Sequence, residues 1–496
     1  MYLSRRAVLR LLASSGGAAI GNAAWPMVES SPRPKPRPSA APVFDAKSEI
    51  RDLISKANLK GEFGFQVFDL AKGTALDAEN PDQTMPPAST AKAITTAYAF
   101  DRLGPGHQLS TRVLTNGQIR SGVLEGDLYL IGGGDPTLSS DHLYGLASDI
   151  AALGVRRITG KFGIWAGDLP FIPTIDPDQP PQVGYSPAIS GLGVNYNRVH
   201  FSWARQNNGY DLQFDARTAT RRPKTAIATM SLADRALPVF EYHLEAETAQ
   251  DAWSVARSAL GEAGSRWLPV RDPALYAGQV FQSVASEAGI SLPAPIILDQ
   301  SPKGATLATL HSPNFTEMAR GLLRYSNNLT AEIMGLTASA ADGMMPQNLA
   351  QSAMMMNNWA ANRLNMTKPG FVDHSGLGDG SRVSAADMVR GLAHLGYESP
   401  LKQVLRQIPL KQENGAAESF ELYAKTGTLN FVNGLVGYIA RSRGQGPLAF
   451  AIYFTNLDRR AAIPKGQEEN PPGAKGWARR ARKLQYDMVR LWARMA

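Results

Sequence analysis

The chain has 496 residues, of which 44% are hydrophobic and none is cysteine. This length exceeds what one hydrophobic core usually serves, so two or three domains are expected, and the lack of cysteine excludes disulfides and thiolate metal sites. The formal net charge of +8 is concentrated at the ends, with seven basic residues against one acidic residue in 475–496. This distribution disfavours a nucleic-acid binder, which would spread basic charge and stacking aromatics over a folded face.

The first 24 residues predict an export signal. Three arginines, Arg5, Arg6 and Arg10, precede a run of small and apolar residues that ends near Ala24 and contains no acidic residue. The paired arginines resemble a twin-arginine signal, although ordinary secretory signals carry such pairs as well, and an uncleaved anchor is the alternative. Residues 25–43 include a stretch that alternates proline with basic residues and stays extended, which predicts a linker. No later segment approaches the roughly 20 apolar residues of a membrane span.

The first folded elements are predicted to be a β-hairpin and a helix. Residues 62–70 alternate apolar and polar side chains, and a second strand is predicted at 74–77 after a short turn. An alanine-rich segment at 88–103 has apolar residues at helical spacing and follows two prolines, which places Ser89 at a helix N-terminus. Positions i and i+3 share a helical face, so Ser89 and Lys92 of the sequence STAK can meet. The helix dipole there favours negative charge developing at the serine.

A long stretch from about 117 to 302 predicts an insertion. Ser89 and Ser326 are 237 residues apart, far more than the helices of a compact serine-acyltransferase core require. The stretch contains strand-like segments at 128–131, 157–165 and 210–214, separated by glycine and proline clusters. The sequence GGGD at 132–135 lacks the lysine and following helix of a phosphate-binding loop, so a tight turn is predicted there.

Helices are predicted on both sides of the sequence SNN at 326–328, and a further helix at 385–395. Ser326 and Asn328 can both point into one cleft if the backbone between them is not helical. A capping cluster is the alternative explanation, because Ser-Asn-Asn is also common in loops. We expect the preceding Tyr325 to be a packing residue.

Strands return near the end of the chain, at 419–424, 434–440 and 448–454, and the first of them leads into the sequence KTGT at 425–428. The final helix carries one apolar stripe from Trp477 to Met495 among basic residues. Two uses fit this stripe, namely docking on the core sheet and lying on a membrane surface as a basic amphipathic helix.

The three short motifs together supply the parts of an acyl-transfer site. A serine hydroxyl needs a base, and neither G-x-S-x-G nor H-E-x-x-H occurs. Lys92 can be this base if a dry pocket and the charge of Lys425 lower its pKa. Ser326 would relay a proton to the leaving amine, and Asn328 would hydrogen-bond Lys92 or the substrate amide. Taken singly, Ser89 is better explained as a helix cap and Lys92 as a solvated lysine, so the prediction depends on the ordered triple.

The strand that ends in KTGT is predicted to bind the substrate. Lys425 supplies positive charge for a terminal carboxylate, Thr426 and Thr428 supply hydroxyl donors, and Gly427 lets a substrate backbone lie close to the strand. The alternative is a β-turn on an exposed strand.

These motifs, with PASTAK at 87–92, GDLYL and GGGDPTL within 126–138 and AKTGTL at 424–429, resemble those of the active-site serine penicillin-recognising enzymes. The surrounding residues narrow the resemblance to the low-molecular-mass D-alanyl-D-alanine carboxypeptidases and endopeptidases with a large insert, which are class C, S13-like enzymes of the penicillin-binding protein 4 type. The resemblance covers most of the chain from about residue 45. It implies an α/β (α+β) fold with a mixed sheet sandwiched by helices, on which the final helix docks, and a mainly β inserted domain.

The resemblance also implies a domain division and several local roles. The catalytic domain would comprise residues 44–117 and 300–496, and the insert residues 118–299, in which LGVNYN at 192–197 resembles the family. The backbone amides of Ser89 and Thr428 would form the oxyanion hole. The sequence DHSGL at 373–377 resembles a DGSGL stretch that borders the cleft, but has His374 where glycine is usual. We therefore expect a differently shaped loop, with an acid–base role for His374 as the less favoured alternative and substrate contact by Ser375 left open.

The implied function is that of an exported, periplasmic serine peptidase that uses no metal or cofactor. Ser89 would attack the carbonyl of a D-Ala-D-Xaa bond in a peptidoglycan stem peptide or cross-link, and β-lactams would become covalently trapped. Carboxypeptidase and endopeptidase activity both fit, and the oligomeric state is left open. One alternative is a β-lactamase or esterase of the same superfamily, for which no fast deacylation route is evident. The other is a non-catalytic peptidoglycan-binding protein, which would be expected to lack Ser89, Lys92 or Lys425.

Overall fold

The computed structural model describes residues 45–245, 250–341, 343–412, 414–442 and 445–495, so the predicted export signal and linker lie outside the described residues. Within this part of the chain there are 11 α-helices. They are α1 (Ala46–Ala57), α2 (Ala91–Leu103), α3 (Ser140–Ala152), α4 (Pro273–Glu287), α5 (Phe315–Tyr325), α6 (Asn328–Ala340), α7 (Leu349–Leu364), α8 (Ala385–Leu395), α9 (Pro400–Val404), α10 (Leu457–Ala461) and α11 (Ala474–Ala493).

The same described residues contain 21 strands. They are β1 (Glu62–Asp69), β2 (Thr74–Glu79), β3 (Thr84–Met85), β4 (Ser110–Thr115), β5 (Gln118–Arg120), β6 (Val123–Glu125), β7 (Leu128–Ile131), β8 (Arg157–Ile158), β9 (Phe162–Trp165), β10 (Arg198–Gln206), β11 (Gly209–Asp215), β12 (Ala228–Ala233), β13 (Phe240–Glu245), β14 (Gln250–Ala256), β15 (Ala263–Pro269), β16 (Pro295–Ile297), β17 (Ala305–His311), β18 (Val383–Ser384), β19 (Glu421–Leu429), β20 (Val432–Ala440) and β21 (Leu448–Thr455).

The core sheet has five strands in the order β19-β20-β21-β1-β2. The hairpin predicted at 62–77 is confirmed as β1 and β2, which lie at one end of this order. Every pairing in this sheet is antiparallel, so the prediction of a mixed sheet is wrong for the core. Short links join β1 to β2, and likewise join β19, β20 and β21 in succession. Parallel neighbours would need long crossover connections, so these strands pair antiparallel.

Helices cover both faces of this sheet, as predicted. Along β21, Ala449, Ala451 and Tyr453 join a core formed with α2 and α5–α8, whereas Leu448, Phe450, Ile452 and Phe454 join a second core formed with α1 and α11. Successive side chains of a strand point to opposite faces, so a strand with helices on both sides must be apolar throughout. The helix that follows Ser89, α2, contributes to the first of these two cores.

The apolar stripe of α11 packs on the core sheet. Trp477 and Trp492 are fully buried, and the ring of Trp492 lies 5.6 Å from that of Phe65 and 6.1 Å from that of Phe450, measured between centroids. Docking of the stripe is therefore confirmed, and the stripe is not free to lie on a membrane surface. Contact of the basic residues of this helix with a membrane stays a prediction. None of the described helices is long and apolar enough to cross a membrane.

The chain between α2 and α5 forms further sheets away from the core sheet. The largest has the order β16-β9-β7-β4-β17 and is mixed, since β9 pairs in parallel with β7 and β16 while the other pairs are antiparallel. Three-stranded sheets β11-β10-β15, β12-β14-β13 and β5-β6-β8 complete this region. Because β4 and β17 pair with each other, we propose that the insert begins at Ser110 and ends at His311, in place of 118 and 299.

Candidate active site

Ser89 lies in a short 3₁₀ turn, Ala88–Thr90, directly before α2. Its Oγ accepts a hydrogen bond of 2.9 Å from Nζ of Lys92, one turn further on. Ala88 has a left-handed φ of 47°, a conformation that costs a non-glycine residue about 1–3 kcal/mol and persists only where the surroundings impose it. The turn leaves Ser89 on the wall of a cavity of about 610 Å³, so the nucleophile is accessible although its neighbours are buried.

Lys92 is completely buried and uses all three donors of its ammonium group. Besides Ser89, its Nζ donates to Oδ1 of Asn328 at 2.8 Å and to the carbonyl of Ser375 at 2.7 Å. Burial lowers the pKa of Lys92 from 10.5 to about 8, against the opposing effect of the Asp373 and Glu332 carboxylates. A neutral amine is therefore accessible near neutral pH, which is what a general base requires.

Two buried carboxylates shape the loop that holds the Ser375 carbonyl. Glu332 accepts hydrogen bonds from the backbone N–H groups of His374 and Ser375 at 2.9 and 2.8 Å. Asp373 accepts from the N–H groups of Gly376 and Gly378 at 2.6 and 2.7 Å. Burial, followed by the charge of Asp373, raises the pKa of Glu332 to about 8. Glu332 and Asp373 thereby hold the loop whose Ser375 carbonyl is the third hydrogen-bond partner of Lys92.

His374 points away from the cavity and into the core. Its Nε2 lies 2.7 Å from Oγ of Ser352, and burial lowers its pKa to about 3. The ring is accommodated by Gly335 of α6, where a Cβ would overlap the imidazole. The alternative of an acid–base role for His374 therefore has no geometric support. Ser375 is also fully buried, and its Oγ accepts from the N–H of Leu377 at 3.2 Å.

The sequence SNN lies at the break between α5 and α6, as predicted. Ser326 caps α5 in a left-handed conformation with φ of 60°, and the side chain of Asn327 caps α6 by accepting from the N–H of Thr330. This break turns Ser326 and Asn328 towards the same cavity. Asn328 donates from Nδ2 to the carbonyl of Tyr185 at 2.9 Å, while its Oδ1 accepts from Lys92.

The sequence KTGT is part of β19, which lies at the edge of the core sheet. Lys425 is 1% exposed, and its Nζ donates to Oγ of Ser326 at 3.0 Å and to the carbonyl of Thr426 at 2.6 Å. Burial, followed by repulsion from Lys92 and Arg406, holds the pKa of Lys425 well below its usual value. From the sequence we expected a dry pocket and the charge of Lys425 to lower the pKa of Lys92 together, and burial is the cause that lowers it here.

The remaining residues of this motif differ in exposure. Thr428 lines the cavity, and Thr426 is half-buried. Gly427 is buried against the nucleophile turn, where a Cβ would lie 2.7 Å from the carbonyl oxygen of Pro87. The approach of that turn therefore requires a glycine here, and close contact of Gly427 with a substrate backbone stays a prediction.

Sequence reasoning missed Glu332, and it named Asp373 only as part of a motif. A signal for Glu332 exists, because it follows Asn328 by four residues and so shares a face of α6 with it. Tyr185 was missed as well, because nothing in its local sequence relates it to Asn328, 143 residues later.

Comparisons with known proteins identify the family of this chain. A family model described as the D-Ala-D-Ala carboxypeptidase 3 (S13) family matches residues 46–469. The D-alanyl-D-alanine carboxypeptidase of Actinomadura sp. (strain R39) is 26% identical over 455 residues, which cover 84% of this chain and 81% of that protein.

Two crystal structures show the same fold. Penicillin binding protein 4 (dacB) from Haemophilus influenzae has a TM-score of 0.71 at 19% identity, and its complex with a β-lactam has a TM-score of 0.70 at 17% identity. Both alignments cover 89% of this chain and 99% of the other. The predicted combination of a DD-peptidase fold with inserted β structure is confirmed. Because the family model spans most of the sequence, the chain belongs to the D-Ala-D-Ala carboxypeptidase 3 (S13) family, as its motifs predicted.

Proposed function

We propose that this serine-type D-Ala-D-Ala peptidase cleaves D-Ala-D-Xaa bonds of peptidoglycan stem peptides and cross-links through an acyl-enzyme on Ser89. One network carries the proposal. Nζ of Lys92 contacts Oγ of Ser89 and Oδ1 of Asn328, and Nζ of Lys425 contacts Oγ of Ser326. A nucleophile, a base and a proton relay, drawn from the three motifs, are thereby neighbours around one cavity.

In the acylation step, neutral Lys92 accepts the Ser89 proton while Oγ bonds to the substrate carbonyl carbon. The carbonyl oxygen takes up the displaced electron pair, and the backbone N–H groups of Ser89 and Thr428 stabilise it, as in related enzymes. When the C–N bond breaks, the nitrogen keeps the electron pair and takes a proton from Ser326, which Lys425 then reprotonates. Passage of the extra proton from Lys92 to Lys425, across the cavity that Ser89, Ser326 and Asn328 line, restores both groups.

The substrate would lie along the free edge of β19. Residues 406–408 cover the outer edge of this strand at Leu422 and Ala424, and its end at Thr428 and Leu429 borders the cavity. An extended peptide that adds to a sheet edge gains backbone hydrogen bonds. Lys425, Thr426 and Thr428 then supply charge and hydroxyl donors for the carboxylate of the leaving residue.

Deacylation requires water to attack the ester, so that the C–O bond breaks and Ser89 recovers its proton. β-Lactams would acylate Ser89 by the same route, and the complex of the Haemophilus influenzae structure with a β-lactam supports this expectation. A β-lactamase remains the second candidate, because the same groups would open the ring. It differs only in the rate at which the adduct is released.

The substrate class also supports the proposed compartment. Peptidoglycan lies outside the cytoplasmic membrane, and the basic, acid-free sequence of residues 1–24 is typical of an export signal. We therefore propose that the protein acts in the periplasm. The chain can be expressed with and without residues 1–24. Comparing the masses of the two exported proteins, and so where each one begins, would test the export route.

Intact-mass spectrometry of the protein incubated with penicillin, beside Ser89→Ala, tests the proposed function. We expect one adduct of one penicillin mass in the wild type and none in Ser89→Ala. Release of D-alanine or of monomeric stem peptide from defined substrates would then give the bond preference. Absence of both adduct and cleavage in folded protein would favour the non-catalytic peptidoglycan-binding alternative, and an adduct lost within seconds would favour the β-lactamase.

A further inference from the structure

A second cavity of about 410 Å³ adjoins the active site. Tyr185, Ser326 and Asn328 line both cavities. On the far side, the wall is formed by Arg198 of β10 and Trp267 of β15, so this cavity lies between the catalytic core and the insert. A molecule bound at Ser89 that continues past Ser326 would enter it.

The exposed tyrosines of the described residues gather around this cavity. Among the described residues, the exposed large hydrophobic side chains include three tyrosines, Tyr185, Tyr196 and Tyr325, and all three line it. Tyr325 is 74% exposed, so the expectation that it packs in the core was wrong. Clustered exposed aromatic rings mark binding surfaces, because they bury large areas against a ligand.

Arg198 supplies an unpaired positive charge to the cavity. Its guanidinium lies 5.5 Å from the ring centroids of both Tyr196 and Trp267, and it has no hydrogen bond or ion pair within the described part of the chain. Its Nε is buried without a partner. No described acidic residue lines the cavity. A guanidinium of this kind matches a carboxylate, which it can bind through two parallel hydrogen bonds.

The backbone that presents Tyr196 is held in an unfavourable conformation. Asn195, Tyr196 and Asn197 have successive left-handed φ values of 53°, 57° and 55°, whereas residues other than glycine visit this region only singly as a rule. The flanking side chains impose it, because Nδ2 of Asn195 donates to Oγ of buried Ser140 at 2.9 Å and Nδ2 of Asn197 donates to the carbonyl of Ala188 at 2.8 Å. Such strain concentrates at ligand-binding sites.

We infer that this cavity binds the leaving strand of a cross-linked stem peptide, with its aliphatic parts against Tyr196 and Tyr325. A free carboxylate further along that strand, distinct from the one on the leaving residue, lies on Arg198. The inference rests on the proposed function. Ser326, the residue that protonates the leaving amine, stands at the junction of the two cavities, so the strand attached to that amine begins at the mouth of the second one. The insert thereby contributes a wall of the substrate site and favours cleavage of cross-links.

The test compares two substrates that share the acyl part. One is a cross-linked stem-peptide dimer with a free carboxylate on its leaving strand, and the other is a monomeric pentapeptide that releases D-alanine. We expect the dimer-to-monomer ratio of kcat/KM to fall about tenfold or more in Arg198→Gln and Tyr325→Ala, the loss typical of a charged hydrogen bond or a buried aromatic contact. Arg205→Gln is the matched control, since Arg205 lies on the same strand but pairs with Glu262 at an exposed site.

A dimer in which only the carboxylate further along the leaving strand is amidated, while the carboxylate of the leaving residue stays free for Lys425, isolates the charge on Arg198. Amidation should lower kcat/KM of the wild type by a similar factor and have no further effect in Arg198→Gln. An unchanged ratio in both variants, with penicillin acylation intact, would overturn the inference. A loss that depends on attached sugars and not on the carboxylate would overturn it in favour of a glycan site. Failure of Ser89 to form any adduct is a different result, because it would remove the proposed function itself.

Discussion

Gly335 of α6 lies against His374 so closely that a Cβ on the glycine would overlap the imidazole ring. The ring is fully buried and stacks on Tyr98, with 6.4 Å between the centroids. His374 follows Asp373 in the loop that offers the Ser375 carbonyl to Lys92. The glycine and the histidine are therefore matched in size, and the position of the general base depends on that match.

Gly335→Ala should destabilise the protein and slow acylation together. An added methyl group in a packed core typically costs about 1–3 kcal/mol, and here it displaces the loop that contacts Lys92. Urea unfolding gives the change in free energy of unfolding, and stopped-flow acylation by penicillin gives the change in rate.

The double variant Gly335→Ala/His374→Gly should recover much of both losses, because removing the ring makes room for the methyl group. Gly321→Ala in α5 is the control, since a Cβ there meets nothing and alanine in a helix gains about 0.5–1 kcal/mol over glycine. Additive losses in the double variant would show that the two residues are not coupled.

The acylation rate should rise with pH and level off above about 8. Lys92 acts as a base only when neutral, and burial lowers its pKa to about 8, so the active fraction grows as pH approaches and passes that value. Penicillin acylation rates measured from pH 5.5 to 9.5 give the midpoint. A rate independent of pH over this range would exclude Lys92 as the titrating base.

Glu332→Gln should move that midpoint to lower pH. Ionised Glu332 favours the charged form of Lys92 and so raises the pKa of Lys92. Because burial raises the pKa of Glu332 itself to about 8, this effect acts mainly near and above that pH, and the amide removes it. Glu262→Gln, at a side chain 81% exposed, should leave the midpoint in place. A shift towards higher pH in Glu332→Gln would contradict the assigned electrostatic role.

Local patterns predicted most of the catalytic fold, because the hairpin, α2 and the break at SNN each depend on alternation, helical spacing or capping within a few residues. The pairing of strands that are far apart in the chain could not be predicted in this way. β4 and β17 pair with each other although they lie far apart in the chain, so nothing local marks them as the first and last strands of the insert that we propose. The tight approach of Gly427 to Pro87 and the burial of Asp373 beside Lys92 likewise depend on segments that meet only in the folded chain.

Asn327 and Asn328 should respond in opposite ways to alanine. Asn327 caps α6, so Asn327→Ala should lower the free energy of unfolding by about 1 kcal/mol and leave acylation nearly unchanged. Asn328→Ala removes an acceptor of Lys92 and should slow acylation about tenfold or more, the usual cost of a hydrogen bond to a charged group. Urea unfolding and penicillin acylation of both variants provide the comparison. Equal kinetic losses would mean that the helix break, and not the Asn328 side chain, positions the base.

The last helix offers a test of where its apolar stripe is used. Trp492 is fully buried between Phe65 and Phe450, so Trp492→Ala should lower the free energy of unfolding by about 3–5 kcal/mol. Arg482→Ala, at an exposed position of the same helix, should change it by less than about 0.5 kcal/mol. Urea unfolding of both variants, with flotation on anionic vesicles as a second measurement, separates the two uses of the helix. If the stripe served a membrane surface instead, Trp492→Ala would reduce vesicle binding while leaving stability intact.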